Sequence, residues 1–97
     1  MDQKIASHVV HDVLMQIQAG QKLDCPPLND EVQPLRDIKK FDSPVSIAAT
    51  GMIGRKLNIK IPPKINLFGD KNGKYTIAKT ISILCKLADE QKKTEAA

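Results

Sequence analysis

Apolar residues recur at three- and four-residue spacing in three segments of the chain, residues 2–20, 43–58 and 75–91, and this periodicity limits the fold more than any other feature. Such spacing puts the apolar side chains on one face of an α-helix. No clean alternation of apolar and polar residues lasts long enough to predict a strand. Because 97 residues allow one small domain with one modest core, we predict an all-α bundle of three to four helices.

Each predicted helix has an inward face defined by its apolar stripe. The stripe positions are, in chain order, Ile5, Val9, Val10, Val13, Leu14 and Ile17; Ile47, Thr50, Ile53 and Leu57; and Ile77, Ile81, Leu84 and Ala88. Ser43 is a good N-cap for the second helix, and Pro44 suits its first position, where the missing N–H costs nothing. Gly51 and Gly54 each cost about 1 kcal/mol relative to alanine inside a helix. They predict either that another group approaches this face closely or that low stability of this helix is tolerated.

Residues 21–42 are predicted to form a long loop between the first two helices. Pro26, Pro27 and Pro34 break any helix there. The segment carries more apolar residues than a disordered linker would, so we expect it to pack across the helices, with a short helical turn near residues 30–34. Another helical turn is predicted over 64–68, and a turn over 70–73. We assign residues 1–91 to a single domain and 92–97 to a frayed tail.

Two cysteines, Cys25 and Cys85, lie far apart and have no metal-ligand spacing. We interpret them as reduced thiols of a cytoplasmic protein, with a single disulfide as the open alternative. The chain has no apolar signal core at its N-terminus and no long apolar run, so we expect neither secretion nor a membrane span.

Charge is spread unevenly along the chain, which carries a formal net charge of +4. Residues 43–88 hold eight basic residues and a single acid, Asp70. This half should attract an acidic partner surface, nucleic acid or anionic lipid. A solvated face of lysines is the alternative interpretation.

The most informative run of sequence is 41–62, FDSPVSIAATGMIGRKLNIKIP. Its Asp-Ser at the start of a helix and its Ile-Pro exit resemble the acyl carrier protein family in both order and spacing. Upstream, PLRDIKKFDS is similar to the apolar approach to the serine in that family. Downstream, Asn66-Leu67-Phe68 and Tyr75-Thr76-Ile77 resemble carrier domains of modular synthases. The resemblance covers roughly residues 5–88.

This resemblance implies that Ser43 accepts a 4′-phosphopantetheine arm from coenzyme A, in a reaction catalysed by a separate phosphopantetheinyl transferase. By the same resemblance, Asp42 helps that transferase to recognise the site. The protein would be a monomer and not an enzyme. It would present a thioester-linked acyl, aminoacyl or peptidyl group to acyl-activating or acyl-transferring enzymes. The N-terminus of a helix is a favourable place for the negative charge of the phosphodiester.

Several positions depart from the family pattern and identify an atypical, basic member. Pro44 replaces the usual Leu or Met, and Ala48, Gly54 and Arg55 stand where the family presents acidic residues to partner enzymes. The residues predicted to form the partner face are Ala48, Met52, Arg55 and Lys56. We expect partners that are acidic or apolar at the contact, and a specialised lipid or secondary-metabolite pathway.

Other functions fit parts of the sequence. A pI near 9.2 and a helical bundle favour a helix-turn-helix DNA-binding protein as the main alternative. Against it, the second helix lacks the Arg, Asn and Gln cluster of a base-reading helix. A carrier-like domain that is never modified and serves only protein contacts is a further alternative, because of Pro44. His8, His11 and Asp12 are neighbours on the first helix, but a metal site needs more ligands, so no metal is predicted.

Overall fold

The computed structural model of the protein describes residues 2–71 and 73–96, with side chains described as far as residue 91. The elements of this part of the chain are α1 (Gln3–Gly20), α2 (Pro34–Asp37), α3 (Ser43–Leu57), the strands β1 (Gly69–Asp70) and β2 (Gly73–Lys74), and α4 (Ile77–Ala96). The helix α1 packs against both α3 and α4. The prediction of a small, mostly helical domain is confirmed. The two short strands form an antiparallel hairpin where only a turn was predicted.

The inward faces of α1 and α4 largely follow the predicted stripes. In α4, all four predicted positions are buried, and in α1 Val10, Val13 and Leu14 are buried. The prediction is wrong for Ile5, which is 54% exposed, because Ala6 takes the inward position in that turn. It is also wrong for Ile47, which is 57% exposed. The inward face of α3 is formed by Ser46, Ala49, Thr50, Ile53 and Gly54.

The long loop packs across the helices, as predicted. Phe41 is buried and meets Phe68 edge to face, with ring centroids 5.1 Å apart. The loop also completes the start of α4, because the carbonyls of Asp30 and Val32 accept the N–H groups of Ala78 and Ile77 at 3.1 and 2.8 Å. These are donors that a helix leaves unpaired in its first turn. The predicted helical turn near 30–34 lies a few residues later, as α2.

The predictions for residues 64–68, for the turn over 70–73 and for the end of the last helix can be compared with the structure. Residues 64–68 are not helical, while the chain reverses between Asp70 and Gly73, which are paired in the hairpin. The helix α4 extends to Ala96, beyond the predicted end at residue 91. For the predicted frayed tail, 92–97, residue 97 and the side chains of 92–96 lie outside the described residues. Within the part that is described, no helix has the length and hydropathy of a membrane span.

Candidate functional site

Ser43 is the first residue of α3, and its side chain is exposed. The N-cap is Asp42, whose Oδ1 accepts the N–H of Val45 at 3.1 Å. The prediction that Ser43 caps the helix is therefore wrong by one residue. Asp and Ser both serve as N-caps, and Asp42 has the extended backbone that a cap requires. No hydrogen bond joins the Ser43 hydroxyl to any residue that the structure describes, so this hydroxyl has no capping role.

The first turn of α3 leaves few backbone donors vacant. The N–H of Ser46 donates to the carbonyl of Asp42 at 2.9 Å, and the N–H of Val45 donates to the Asp42 side chain. Pro44 has no N–H. The N–H of Ser43 is then the donor that this turn leaves for an anion, together with the dipole of the helix.

An open cleft of about 990 Å³ lies beside Ser43. This volume is at the upper end of the range for small-molecule sites. One part of its wall is apolar and the other is polar or basic. The apolar side chains are Leu35, Ile47, Ile65 and Ile83, and the polar or basic ones are Lys64, Asn66, Asp70, Lys71 and Tyr75. The arrangement offers both hydrogen-bonding groups and apolar surface within reach of one exposed hydroxyl.

The wall of this cleft is held by a series of hydrogen bonds. The amide of Asn66 donates to Ser46 Oγ at 2.7 Å, and the N–H of Leu67 donates to Thr50 Oγ1 at 3.1 Å. The hydroxyl of Thr80 then donates to the carbonyl of Leu67 at 2.7 Å. These contacts fasten the segment 66–67 to α3 on one side and to α4 on the other. Sequence reasoning missed them, although buried hydroxyls within apolar stripes were a signal that such bonds exist.

Tyr75 forms a fixed edge of the same cleft. Its hydroxyl donates to Asp70 Oδ2 at 2.6 Å. This hydrogen bond, then partial burial and the negative charge of Asp70, raise the pKa of Tyr75 above its ordinary value. The ammonium of Lys79 lies 4.5 Å from the centre of the ring, which is cation–π distance.

The four residues predicted to form the partner face do not all face solvent in the same way. Ala48 and Arg55 are exposed, but Met52 packs partly against the core. Lys56 is tied to α1 by an ion pair with Asp12 at 3.3 Å. The exposed side of α3 includes Ile47, which sequence reasoning assigned to the core. The spacing was a usable signal, because a residue four positions after an exposed serine shares its side of the helix.

A second cleft, of about 700 Å³, lies further along α3, where Gly51, Gly54 and Arg55 contribute to its lining. A Cβ added at Gly54 would lie 3.2 Å from the carbonyl oxygen of Ile59 and 3.2 Å from Cδ1 of Ile61. The expected close approach is therefore confirmed at Gly54. A Cβ at Gly51 would meet nothing within 4 Å. At this position no neighbour among the described residues requires glycine.

The candidate ligands elsewhere in the chain do not assemble into a site. Among the described residues, no three His, Cys, Asp or Glu side chains come together as metal ligands. His11 is half-buried and lines a shallow cleft with His8. Cys25 and Cys85 are free thiols and are both half-buried. Burial raises the pKa of the Cys25 thiol.

The strongest candidate site is thus the exposed hydroxyl of Ser43 with the cleft beside it. It combines an unengaged nucleophile, a helix N-terminus and a wall of mixed polarity. Comparison of the chain with protein-family models, with curated proteins and with solved structures finds no match.

Proposed function

We propose that this protein is a carrier that holds its cargo on a 4′-phosphopantetheine arm attached to Ser43. The observation that supports this most strongly is the exposure of the Ser43 hydroxyl at the start of α3, with the capping role taken by Asp42. A hydroxyl that a separate transferase modifies must be accessible, and it must not make a hydrogen bond that the fold requires. Ser43 meets both conditions.

The surroundings of Ser43 suit the chemistry of such an arm. A phosphodiester is anionic, and it is favoured by the α3 dipole and by the nearby cleft residues Lys64 and Lys71, which act against the negative charges of Asp42 and Asp70. Ile65 belongs to the apolar wall suited to a cargo chain. When bound, the arm supplies a terminal thiol that holds the cargo as a thioester. The residues of this chain hold and orient the group and do no chemistry on the cargo.

The charge of α3 supports a specialised role. The helix has no acidic residue between Ser43 and Leu57, and it ends with Arg55 and Lys56. Partner enzymes that select an acidic carrier surface would be repelled by these cations. We therefore propose a dedicated lipid or secondary-metabolite pathway in the cytoplasm, with enzymes that carry acidic or apolar contact surfaces.

Transfer of the arm can be tested by intact-mass measurement. The purified chain, a broad-specificity phosphopantetheinyl transferase and coenzyme A should give a product heavier by one phosphopantetheine group. Ser43→Ala should abolish the gain, whereas Ser82→Ala, which removes another exposed serine, should leave it unchanged. A folded wild-type chain that gains no mass while a reference carrier is fully loaded would refute the proposal.

A DNA-binding function is the second candidate, because residues 43–88 hold eight basic residues and one acid. Against it, the exposed side of α3 offers Ile47, Ala48 and Gly51, and the side chains able to read bases are confined to Arg55 and Lys56 in its last turn. Fluorescence anisotropy with duplex DNA over a series of salt concentrations tests this alternative. Tight, salt-dependent binding by a chain that cannot be loaded would favour the DNA-binding function over the carrier function.

A further inference from the structure

The outward side of α1 carries two large apolar side chains that the described structure leaves exposed. Ile5 is 54% exposed, and Met15 is 56% exposed. They lie on one line along the helix with His8, Asp12 and Ala19, because the steps between neighbours alternate between three and four residues. This is the spacing by which one helix packs against another in a coiled coil. We call Ile5, His8, Asp12, Met15 and Ala19 the α1 seam.

The α1 seam lies opposite the side that α1 turns to the core. The buried positions of the helix, among them Ala6, Val10 and Leu14, are centred about half a turn away from it, at ~100° per residue. Neither Ile5 nor Met15 belongs to the apolar cluster of the core. The seam is therefore an outward helix face that keeps the pattern of a helix-packing surface.

The polar members of the seam complement each other. Asp12 uses Oδ2 for its hydrogen bonds within the described chain, including the ion pair with Lys56 at 3.3 Å, and its side chain is 43% exposed. His8 is exposed and makes no hydrogen bond with any residue that the structure describes. Lys4 and Asp30 line the cleft beside His8 with opposite charges. An imidazole N–H of a second molecule can thus reach Oδ1 of Asp12 without displacing an existing bond.

We infer that two copies of this chain associate through the α1 seam, with their α1 helices antiparallel. When a twofold axis crosses the seam at the height of residue 10, residues equally far from that height on opposite sides face each other. Ile5 of each copy then meets Met15 of the other, and His8 meets Asp12. The apolar pairs bury the exposed side chains, and the polar pairs determine direction and register.

Other arrangements of the same seam lack this complementarity. Parallel helices would set His8 against His8 and Asp12 against Asp12, and an antiparallel pair centred on Asp12 would bring two carboxylates together. A membrane surface is a poorer match, because the two polar residues interrupt the apolar line between Ile5 and Met15. The order of residues in the seam therefore favours a second copy of this chain over a lipid surface.

The size of the contact predicts a weak dimer. From Ile5 to Met15 the seam is roughly 15 Å long, at ~1.5 Å per residue. We expect two helices paired over this length to bury less than the roughly 1,200 Å² that marks the low end of stable interfaces. The expected Kd is on the order of 0.1 mM, so the dimer dissociates on dilution. The resemblance to carrier proteins implies a monomer instead, and the inference does not need the arm on Ser43.

Sedimentation velocity of the unmodified full chain measures this association. Between about 10 µM and about 1 mM the wild type should change from monomer to dimer. Ile5→Glu sets a carboxylate against Met15 twice in each dimer and should weaken the association about tenfold or more. The matched control is Ile47→Glu, which makes the same substitution at a similarly exposed position of α3 and should leave the association unchanged.

Charge exchange tests the antiparallel register. His8→Glu should weaken self-association, because a carboxylate then faces Asp12. Asp12→Lys should also weaken it, because the contact with His8 loses its acceptor. An equimolar mixture of these two variants should associate at least as tightly as the wild type, since the introduced glutamate and lysine then face each other. Thermal unfolding of each variant checks that the fold is retained.

Any of four results would overturn the inference. The wild type stays monomeric over the whole concentration range, or Ile5→Glu and Ile47→Glu have equal effects. The mixture of the two charge variants associates no better than either variant alone. The monomeric wild type binds vesicles of phosphatidylcholine and phosphatidylglycerol, and Ile5→Glu abolishes that binding. Ser43→Ala should form the dimer as the wild type does, which keeps this test separate from the carrier proposal.

Discussion

Asp42 and Ser43 carry two separate roles at the start of α3. Asp42 closes the first turn through its side chain and its carbonyl, and Ser43 exposes an unengaged hydroxyl. Asp42 is thus a structural residue as well as the residue proposed to guide a transferase. Substitutions can distinguish these roles, since asparagine caps a helix about as well as aspartate but carries no charge.

At the residue scale, Asp42→Ala should lower the free energy of unfolding by about 1 kcal/mol through loss of the cap, whereas Asp42→Asn should retain it. If the charge of Asp42 guides the transferase, both variants should be loaded more slowly than the wild type. Urea denaturation and the rate of mass gain provide the two readouts. An Asp42→Ala variant as stable as the wild type would contradict the capping role.

Tyr75 provides a spectroscopic test of the cleft, because the chain contains one tyrosine and no tryptophan. Its hydrogen bond to Asp70 favours the neutral phenol and raises the pKa of Tyr75. This stabilisation is fully present below the pKa of the unfolded chain, at about 10, and is lost as the pH rises through the higher folded value. Ultraviolet titration should give a midpoint above the ordinary one. Asp70→Asn should lower that midpoint, and an unchanged midpoint would contradict the contact.

At the scale of the element, the two glycines of α3 differ in their surroundings. Gly51→Ala should stabilise the protein by up to about 1 kcal/mol, because alanine is the better helix former and its Cβ meets open space. Gly54→Ala should be the less stable of the two, since its Cβ would press on the backbone oxygen of Ile59. Thermal and urea unfolding of the pair test this order. Equal stability would show that the chain after α3 is free to shift.

The hydroxyl of Thr50 joins α3 to the segment that forms the cleft wall. Thr50→Val should lower the free energy of unfolding by about 1–3 kcal/mol, because the buried N–H of Leu67 loses its acceptor. Thr50→Ser is the matched control, because it keeps the hydroxyl and loses one methyl group. Urea denaturation should rank the serine variant above the valine variant, and the reverse order would contradict the role of this hydrogen bond.

For the whole molecule, the sequence predicts the helices better than it predicts their ends and contacts. The stripe of α4 is predicted correctly because the apolar spacing persists through several turns. The stripe of α3 fails at Ile47 because small and polar residues fill the inward positions, where Ser46 and Thr50 accept hydrogen bonds from the segment 66–67. The cap was assigned to Ser43 because two adjacent residues are both good caps.

The candidate site, like the fold, has a part that the local sequence predicts and a part that depends on contacts between distant residues. Ser43 and Asp42 stay predictions as site residues, and they come from the order of residues in the run 41–62. The cleft could not be predicted, because it brings together residues as far apart in the chain as Leu35 and Ile83. The loop also bonds to the start of α4 through backbone carbonyls, and such backbone contacts cannot be predicted from the pattern of side chains. Most of the architecture is therefore readable from periodicity, and the shape of the site depends on long-range packing.

The central claim concerns one particular hydroxyl, and fragment mass spectrometry of the transferase-treated protein tests it most directly. The account predicts that the added group lies on the proteolytic fragment that contains Ser43, and that further fragmentation assigns it to that residue. Modification of another hydroxyl such as that of Ser82, or a fully folded chain that remains unmodified under conditions that load a reference carrier, would contradict it.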